Sequence, residues 1–262
     1  MKRILWVADM HCGHFAGLTH PDFERKPKRD YSNPLYQQWV IRRKCWKFFY
    51  DIVSIEGPFD VAIVLGDDID GRGEKSGGTE LLTPDRSVQT DMAAANILTI
   101  GAPEVYGVYG TPYHAGVQED WEDEVARKAG FVRIEDVGRL NVNGKILRYR
   151  HHVGGSNIPH GRFTPLAKEH IWNLFWAERK EDVKADMLVF GHRHYHVMCS
   201  EPGKWEAWVA PALQAYGTKF GGRKMSGTVD FGLMWTEIDD NGTIRTFSRT
   251  MQFPFTEKVQ KV

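Results

Sequence analysis

The chain lacks most features that would assign a class at once. It has three cysteines, Cys12, Cys45 and Cys199, too few and too scattered for a disulfide framework or a thiolate zinc site. That economy suits a reducing compartment, and a cytoplasmic protein is expected. No apolar run approaches the ~18 residues of a membrane-spanning helix. The run after Met1-Lys2-Arg3 is shorter than a signal-peptide core. No membrane partner is therefore expected. Net charge is missing too, because 34 Lys and Arg face 34 Asp and Glu. Nothing global marks a polyanion-binding protein. No repeat, low-complexity tract or linker divides the chain, so residues 1–262 read as one domain.

What is present is apolar material in short blocks. Hydrophobic residues make up 42% of the chain, with fourteen Phe and nine Trp, enough for a sizeable core. Ile4 to Ala8, Val61 to Leu65, Glu104 to Tyr109, Lys145 to Arg150 and Met187 to Phe190 read as strands. Helices are expected from Pro34, with Asn33 as cap and Gly57-Pro58 as stop, over Ser87 to Ile100, and over Trp121 to Ala129. Another is expected over Leu166 to Arg179, burying Ile171, Leu174 and Phe175. Trp205 to Ala210 and two strands joined at Asp240-Asn241-Gly242 complete the chain, and Asn143-Gly144 marks a hairpin. Continuous apolar strands alternating with helices indicate an α/β protein with a mostly parallel sheet.

Polar clusters lie just after five of these strands: Asp9/His11, Asp67/Asp70, Thr111/His114, His151/His152 and His192/His194. Any one of them could be an ordinary polar turn. Six of the eleven histidines fall at these five exits, and strand carboxyl ends are where open α/β sheets bind ligands. Imidazole and carboxylate together suit Mn, Fe, Zn or Ni without needing a thiolate.

Asp9-x-His11, Gly66-Asp67-x-x-Asp70, Gly110 to His114, His151-His152 and Gly191-His192-x-His194 occur in the order seen in calcineurin-like metallophosphoesterases. The resemblance covers about residues 4 to 210. It implies a four-layer α-β-β-α sandwich, here with no cap domain, holding two divalent ions, Mn first among them. Carried over, it makes Asp9, His11 and His194 ligands of one ion. Asp67 becomes the bridging ligand, and His192 with His151 or His152 binds the second ion, His151 being favoured because it comes first after the strand. A metal-bridging hydroxide would attack phosphorus in line.

The third cluster departs from the family's Gly-Asn-His-Asp/Glu. Thr111 takes the Asn place and His114 comes two residues late, so either could contact the second ion. The favoured alternative makes His114 the catalytic acid and Asp70 its orienting partner. The implied activity is a phosphoesterase, with phosphodiesters of nucleic acid or nucleotides ahead of phosphomonoesters or phosphoproteins. A nuclease or other phosphodiesterase is thus the expectation, and a catalytically silent scaffold the competing class. Arg193 is either a phosphate contact or solvated. The long loop 13–33 carries Arg25, Lys26, Lys28 and Arg29, which read either as a solvated surface or as a guide for a nucleic-acid backbone.

Overall fold

The computed structural model describes residues 1–116, 119–215 and 228–253. Most of the stretch between Ala210 and the two last strands expected from the sequence, residues 216–227, lies outside them. Two sheets form the centre. In the first, β1 (Lys2–Val7), β2 (Val61–Val64), β3 (Glu104–Val108) and β4 (Arg133–Glu135) run parallel, while β10 (Phe231–Ile238) and β11 (Ile244–Met251) extend the β1 edge, each antiparallel to the strand before it in the sheet. The spatial order is β11-β10-β1-β2-β3-β4. The second sheet has β5 (Gly138–Val142), β6 (Lys145–Arg150), β7 (Met187–Phe190), β8 (Val197–Glu201) and β9 (Trp205–Val209), in the order β5-β6-β7-β9-β8.

Strand side chains alternate between faces, and that alternation builds the layers. Ile4, Trp6, Val61, Ile63 and Met234 meet Leu147, Tyr149, Met187 and Val189 between the two sheets. Leu5, Val7, Ala62, Val64 and Leu233 point the other way, onto α1 (Pro34–Glu56) and α2 (Arg86–Leu98). Leu188 and Phe190 face away from the first sheet and meet Leu166 of α5 (Thr164–Glu178). The result is the expected α-β-β-α sandwich.

Local signals fix the helix starts. Asn33 Oδ1 accepts from Leu35 N at 2.9 Å, and Pro34 opens α1. Asp85 and Asp120 cap α2 and α4 (Trp121–Ala129) in the same way. Each supplies an oxygen for an amide left bare in the first turn.

The outer face of α5 overturns one expectation. Ile171, Leu174 and Phe175 are not buried; they stand 51%, 40% and 54% exposed. The sheet beneath explains this. With Leu147 and Tyr149 turned inward, Arg148 and Arg150 of β6 face the helix. The helix therefore turns polar groups toward them. Glu169 pairs with Arg150 at 2.7 Å, Arg148 lies 4.6 Å from the Trp176 ring, and Asn173 exchanges two 2.9 Å hydrogen bonds with Ala185. Strand β8 and the one-turn helix α3 (Pro112–Ala115) are also additions to the sequence pattern. Among the described residues no helix is long and apolar enough to cross a membrane.

Candidate metal centre

Strands β1, β2 and β3 share a direction in one sheet, as do β6 and β7 in the other. All five polar clusters lie just past their carboxyl ends. Backbone bonds lock the exits together: His11 N donates to Asp67 O at 2.9 Å, and Gly191 N to His151 O at 3.0 Å. The sheets are joined here as well. His151 Nδ1 lies 2.6 Å from Leu65 O, and His192 N donates to Asp9 Oδ2 at 2.9 Å.

Three overlapping sets of donors result: Asp9, His11 and His194; His11, Asp67 and His114; Asp67, His151 and His192. His11 Nε2 and His194 Nε2 are 3.2 Å apart, and His194 Nε2 is 3.3 Å from Asp9 Oδ1. His151 Nε2 is 3.1 Å from both Asp67 Oδ2 and His192 Nδ1. Donors about 2.1 Å from one ion stand roughly 3.0–3.4 Å apart, so these spacings fit divalent ions. Ligand imidazoles are ordinarily held by a hydrogen bond on the other ring nitrogen. His151 has Leu65 O for this, and His11 Nδ1 has Asp70 Oδ1 at 3.2 Å. Cys12 offers no thiolate, because burial first and the nearby Asp68 second hold its thiol well above the ordinary range.

The electrostatics fit the same purpose. Burial alone would raise the Asp67 carboxyl, but His151 and His114 outweigh it and hold it well below the usual range. Asp9 is lowered likewise, burial being outweighed mainly by His194. Burial opposes charge on His151, yet Asp67 and Asp9 push it up to about 10. Burial and the neighbouring His151 together bring His192 down to about 3. Ionised carboxylates packed against imidazoles in a buried pocket are a ready donor set for cations.

The backbone carries the mark of the site. Asp9, His11, Asp67, His192 and His194 have φ of 52°, 44°, 53°, 72° and 55°. Side-chain-bearing residues rarely adopt this left-handed region, and such outliers gather at functional sites. Glycine solves a different problem. A Cβ on Gly110 would stand 2.3 Å from Asp67 N and Oδ1, and one on Gly66 would stand 2.6 Å from Gly110 Cα. Only bare backbone lets the loops after β2 and β3 approach so closely.

The structure sorts the candidates from the sequence. Asp9, His11, Asp67, His114, His151, His192 and His194 meet in the three sets. His152 is exposed and outside them. Thr111 gives its backbone N–H and its hydroxyl to Asp67 Oδ1, at 2.6 and 2.9 Å. Asp70 lies beside both His11 and His114. Its carboxylate lies nearer His11, at 3.2 Å, than His114, at 3.6 Å, while its backbone carbonyl lies 2.9 Å from His114 Nδ1. Pro112 starts α3 directly after Thr111, and that turn brings His114 back over Asp70.

Arg193 Nε donates to Val153 O at 2.6 Å. His196 stacks on Trp208 and His170 on Trp205. Sequence reasoning missed Glu122. It is fully buried and accepts from Asp68 N at 3.1 Å and Gly110 N at 2.6 Å, tying two exit loops together. Burial, then the charge of Asp67, raises its carboxyl to about 7. Acids are common in first helical turns, so the sequence carried no signal for it.

No family model matches the chain, and no curated protein matches it. Solved structures do. An archaeal phosphodiesterase is 12% identical, covering 94% of this chain and 99% of that one, with a TM-score of 0.47. Vps29 of Entamoeba histolytica complexed with zinc is 13% identical over 95% and 98%, with a TM-score of 0.43. A conserved protein of Streptococcus pneumoniae TIGR4, described as a predicted phosphoesterase, is 12% identical over 95% and 98%, at 0.38. With two sheets between helical layers and the five clusters gathered at one end, the resemblance to calcineurin-like metallophosphoesterases extends from the sequence motifs to the fold.

Proposed function

We propose that the chain is a metal-dependent phosphoesterase that hydrolyses phosphodiesters at this centre. The observation that supports the reading is the overlap of the donor sets through His11 and Asp67. One carboxylate shared between neighbouring sets suits a pair of cations, whose repulsion it relieves. Asp9, His11 and His194 would hold one ion, His151 and His192 the other, with Asp67 between them. Bound there, divalent ions supply Lewis acidity toward phosphoryl oxygens and lower the pKa of water.

The protein's own groups do the rest. Thr111 fixes Asp67 by two hydrogen bonds, leaving Asp67 Oδ2 toward His151. Asp70 O holds His114 Nδ1, which leaves Nε2 as the nitrogen able to exchange a proton with a leaving oxygen. Burial and then His11 lower the His114 pKa, whereas Asp67 and Asp70 act to raise it. An anionic substrate would favour the imidazolium further.

The test is hydrolysis of bis-p-nitrophenyl phosphate by protein reconstituted with Mn²⁺, together with counting of bound ions. Two ions and turnover abolished by Asp67→Asn are expected. Fewer than one bound ion and no turnover would overturn the reading in favour of a silent scaffold. His114→Ala should spare esters with good leaving groups and slow those with poor ones by roughly 10²–10⁴-fold. Equal loss on both, with an ion lost, would make His114 a ligand.

A further inference from the structure

The loop after the first donor pair carries unusual surface chemistry. In a chain of zero net charge, residues 25–47 hold eight Lys and Arg against one Asp. Arg25, Lys26, Lys28 and Arg29 are exposed, and among the described residues none of them pairs with a carboxylate. The nearest acids are engaged elsewhere. Glu24 is tied to Arg42, and Asp30 Oδ1 accepts from Ser32 N and Oγ at 2.9 and 2.6 Å.

Aromatic rings are interleaved with these cations. The Tyr31 ring, on a residue 65% exposed, lies 5.3 Å from Tyr36, which stacks on Trp39 at 5.7 Å. Lys26 Nζ is 5.7 Å from the Trp39 ring, and Arg29 donates to Tyr31 Oη at 2.8 Å. Cations without carboxylate partners, beside the exposed Tyr31 ring and the half-buried Trp39 ring, match a flexible polyanion that presents flat faces. A duplex offers the charge but keeps its faces stacked away.

Topology sets this surface at the business end of the fold. Helix α1 leads from the exit of β1 to the start of β2, and β1 and β2 are parallel. Its first turn must therefore lie at the end where Asp9 and His11 sit. The loop's base is anchored there: Arg42, which holds Glu24, also donates to Phe15 O at 3.1 Å, and Phe15 stacks on His14.

We propose that residues 25–39 form a docking surface for single-stranded nucleic acid, which leads its backbone toward the strand-exit centre. This rests on the phosphodiesterase reading and narrows its substrate to a polynucleotide strand. The cations track phosphates while Tyr31 and Trp39 take bases.

The test uses the full-length chain loaded with Mn²⁺, a fluorescent twenty-nucleotide dT strand, its duplex with dA, and phosphatidylserine vesicles. Two variants are compared: Lys26→Ala/Lys28→Ala/Arg29→Ala and Tyr31→Ala. Neither touches the metal centre, so turnover of bis-p-nitrophenyl phosphate should be unchanged in both, which also reports folding. Binding of the dT strand should fall tenfold or more in Tyr31→Ala. The triple variant should lose about two from the slope of log affinity against log salt, at about 0.7 per phosphate contact. Cleavage of the strand should fall with binding.

Unchanged dT affinity in both variants would overturn the proposal. So would tighter binding of duplex than of single strand, or of vesicles than of either. Lost dT binding in the variants, with no hydrolysis of the small ester by the parent protein, would sink the phosphodiesterase reading and leave the docking surface standing.

Discussion

Thr111 donates to the same oxygen of Asp67 twice, through its backbone N–H at 2.6 Å and its hydroxyl at 2.9 Å. Both bonds go to Oδ1, while Oδ2 stays beside His151. The threonine thus acts on the shared carboxylate. Thr111→Val keeps the backbone bond and the branched shape but deletes the hydroxyl. It should weaken Mn²⁺ binding by about 10–100-fold in calorimetric titration, as loss of a ligand's hydrogen-bond partner does. Unaltered affinity would show that the backbone bond alone is enough.

His151 and His152 are adjacent in sequence and opposite in surroundings. One is buried between Leu65 and Asp67; the other is exposed, 4.6 Å from the His192 ring. His151→Ala should lower the bound metal by one ion per chain, measured by elemental analysis. His152→Ala should leave the count unchanged. A loss of metal in the second variant and not the first would reverse the assignment.

Asp70 offers a way to separate its side chain from its backbone. Asp70→Asn retains the carbonyl that holds His114 and removes the charge beside His11. Metal affinity should fall about 10–100-fold, while the dependence of rate on leaving group stays as in the parent. A changed leaving-group dependence at saturating Mn²⁺ would show that the carboxylate serves His114 after all.

The ring of His14 is 1% exposed in total, and its Nδ1 accepts from Ala16 N at 3.1 Å, so the folded chain requires it neutral. Burial brings its pKa from 6.5 down to about 4. A depressed folded-state value means that protonation favours the unfolded chain. The stabilisation is complete above pH 6.5 and is lost as pH falls through 4, amounting to about 3 kcal/mol. Urea unfolding should therefore show a smaller loss between pH 7 and pH 4.5 in His14→Gln, whose amide oxygen can still accept from Ala16. An identical loss in both proteins would mean that other groups carry the acid sensitivity.

Much of the architecture was legible because each kind of signal was strong where it mattered. Apolar blocks such as Ile4 to Ala8 are buried on both faces, so they read as parallel strands, and the exit loops of parallel strands gather at one end. That placed Asp9, Asp67, His151 and His192 near one another from the residue pattern alone. Helix faces were less legible. Ile171, Leu174 and Phe175 have the spacing of a buried stripe, but periodicity cannot see that Arg148 and Arg150 occupy the sheet opposite. Side-chain partners were least legible. The Asp70 carboxylate lies nearer His11 while its carbonyl faces His114, because Pro112 turns the chain into α3, and Glu122 reaches its two amides from a separate helix. Such contacts depend on separations of a few ångströms between segments far apart in sequence.

Gly110 contributes no donor atom, yet the space for a methyl group at that position is already filled by Asp67. The centre's inventory and its assembly can therefore be uncoupled. Gly110→Ala leaves all seven carboxylate and imidazole donors in the chain but crowds Asp67, which two of the three sets share, together with Glu122 beside it. The variant should melt below the parent even when both are stripped of metal, because the added methyl group meets the Asp67 backbone as well as its side chain, while Mn²⁺ raises the melting temperature of the parent alone. It would serve as a silent control protein, chemically complete and geometrically out of register, in which what is missing from activity measures the worth of alignment itself.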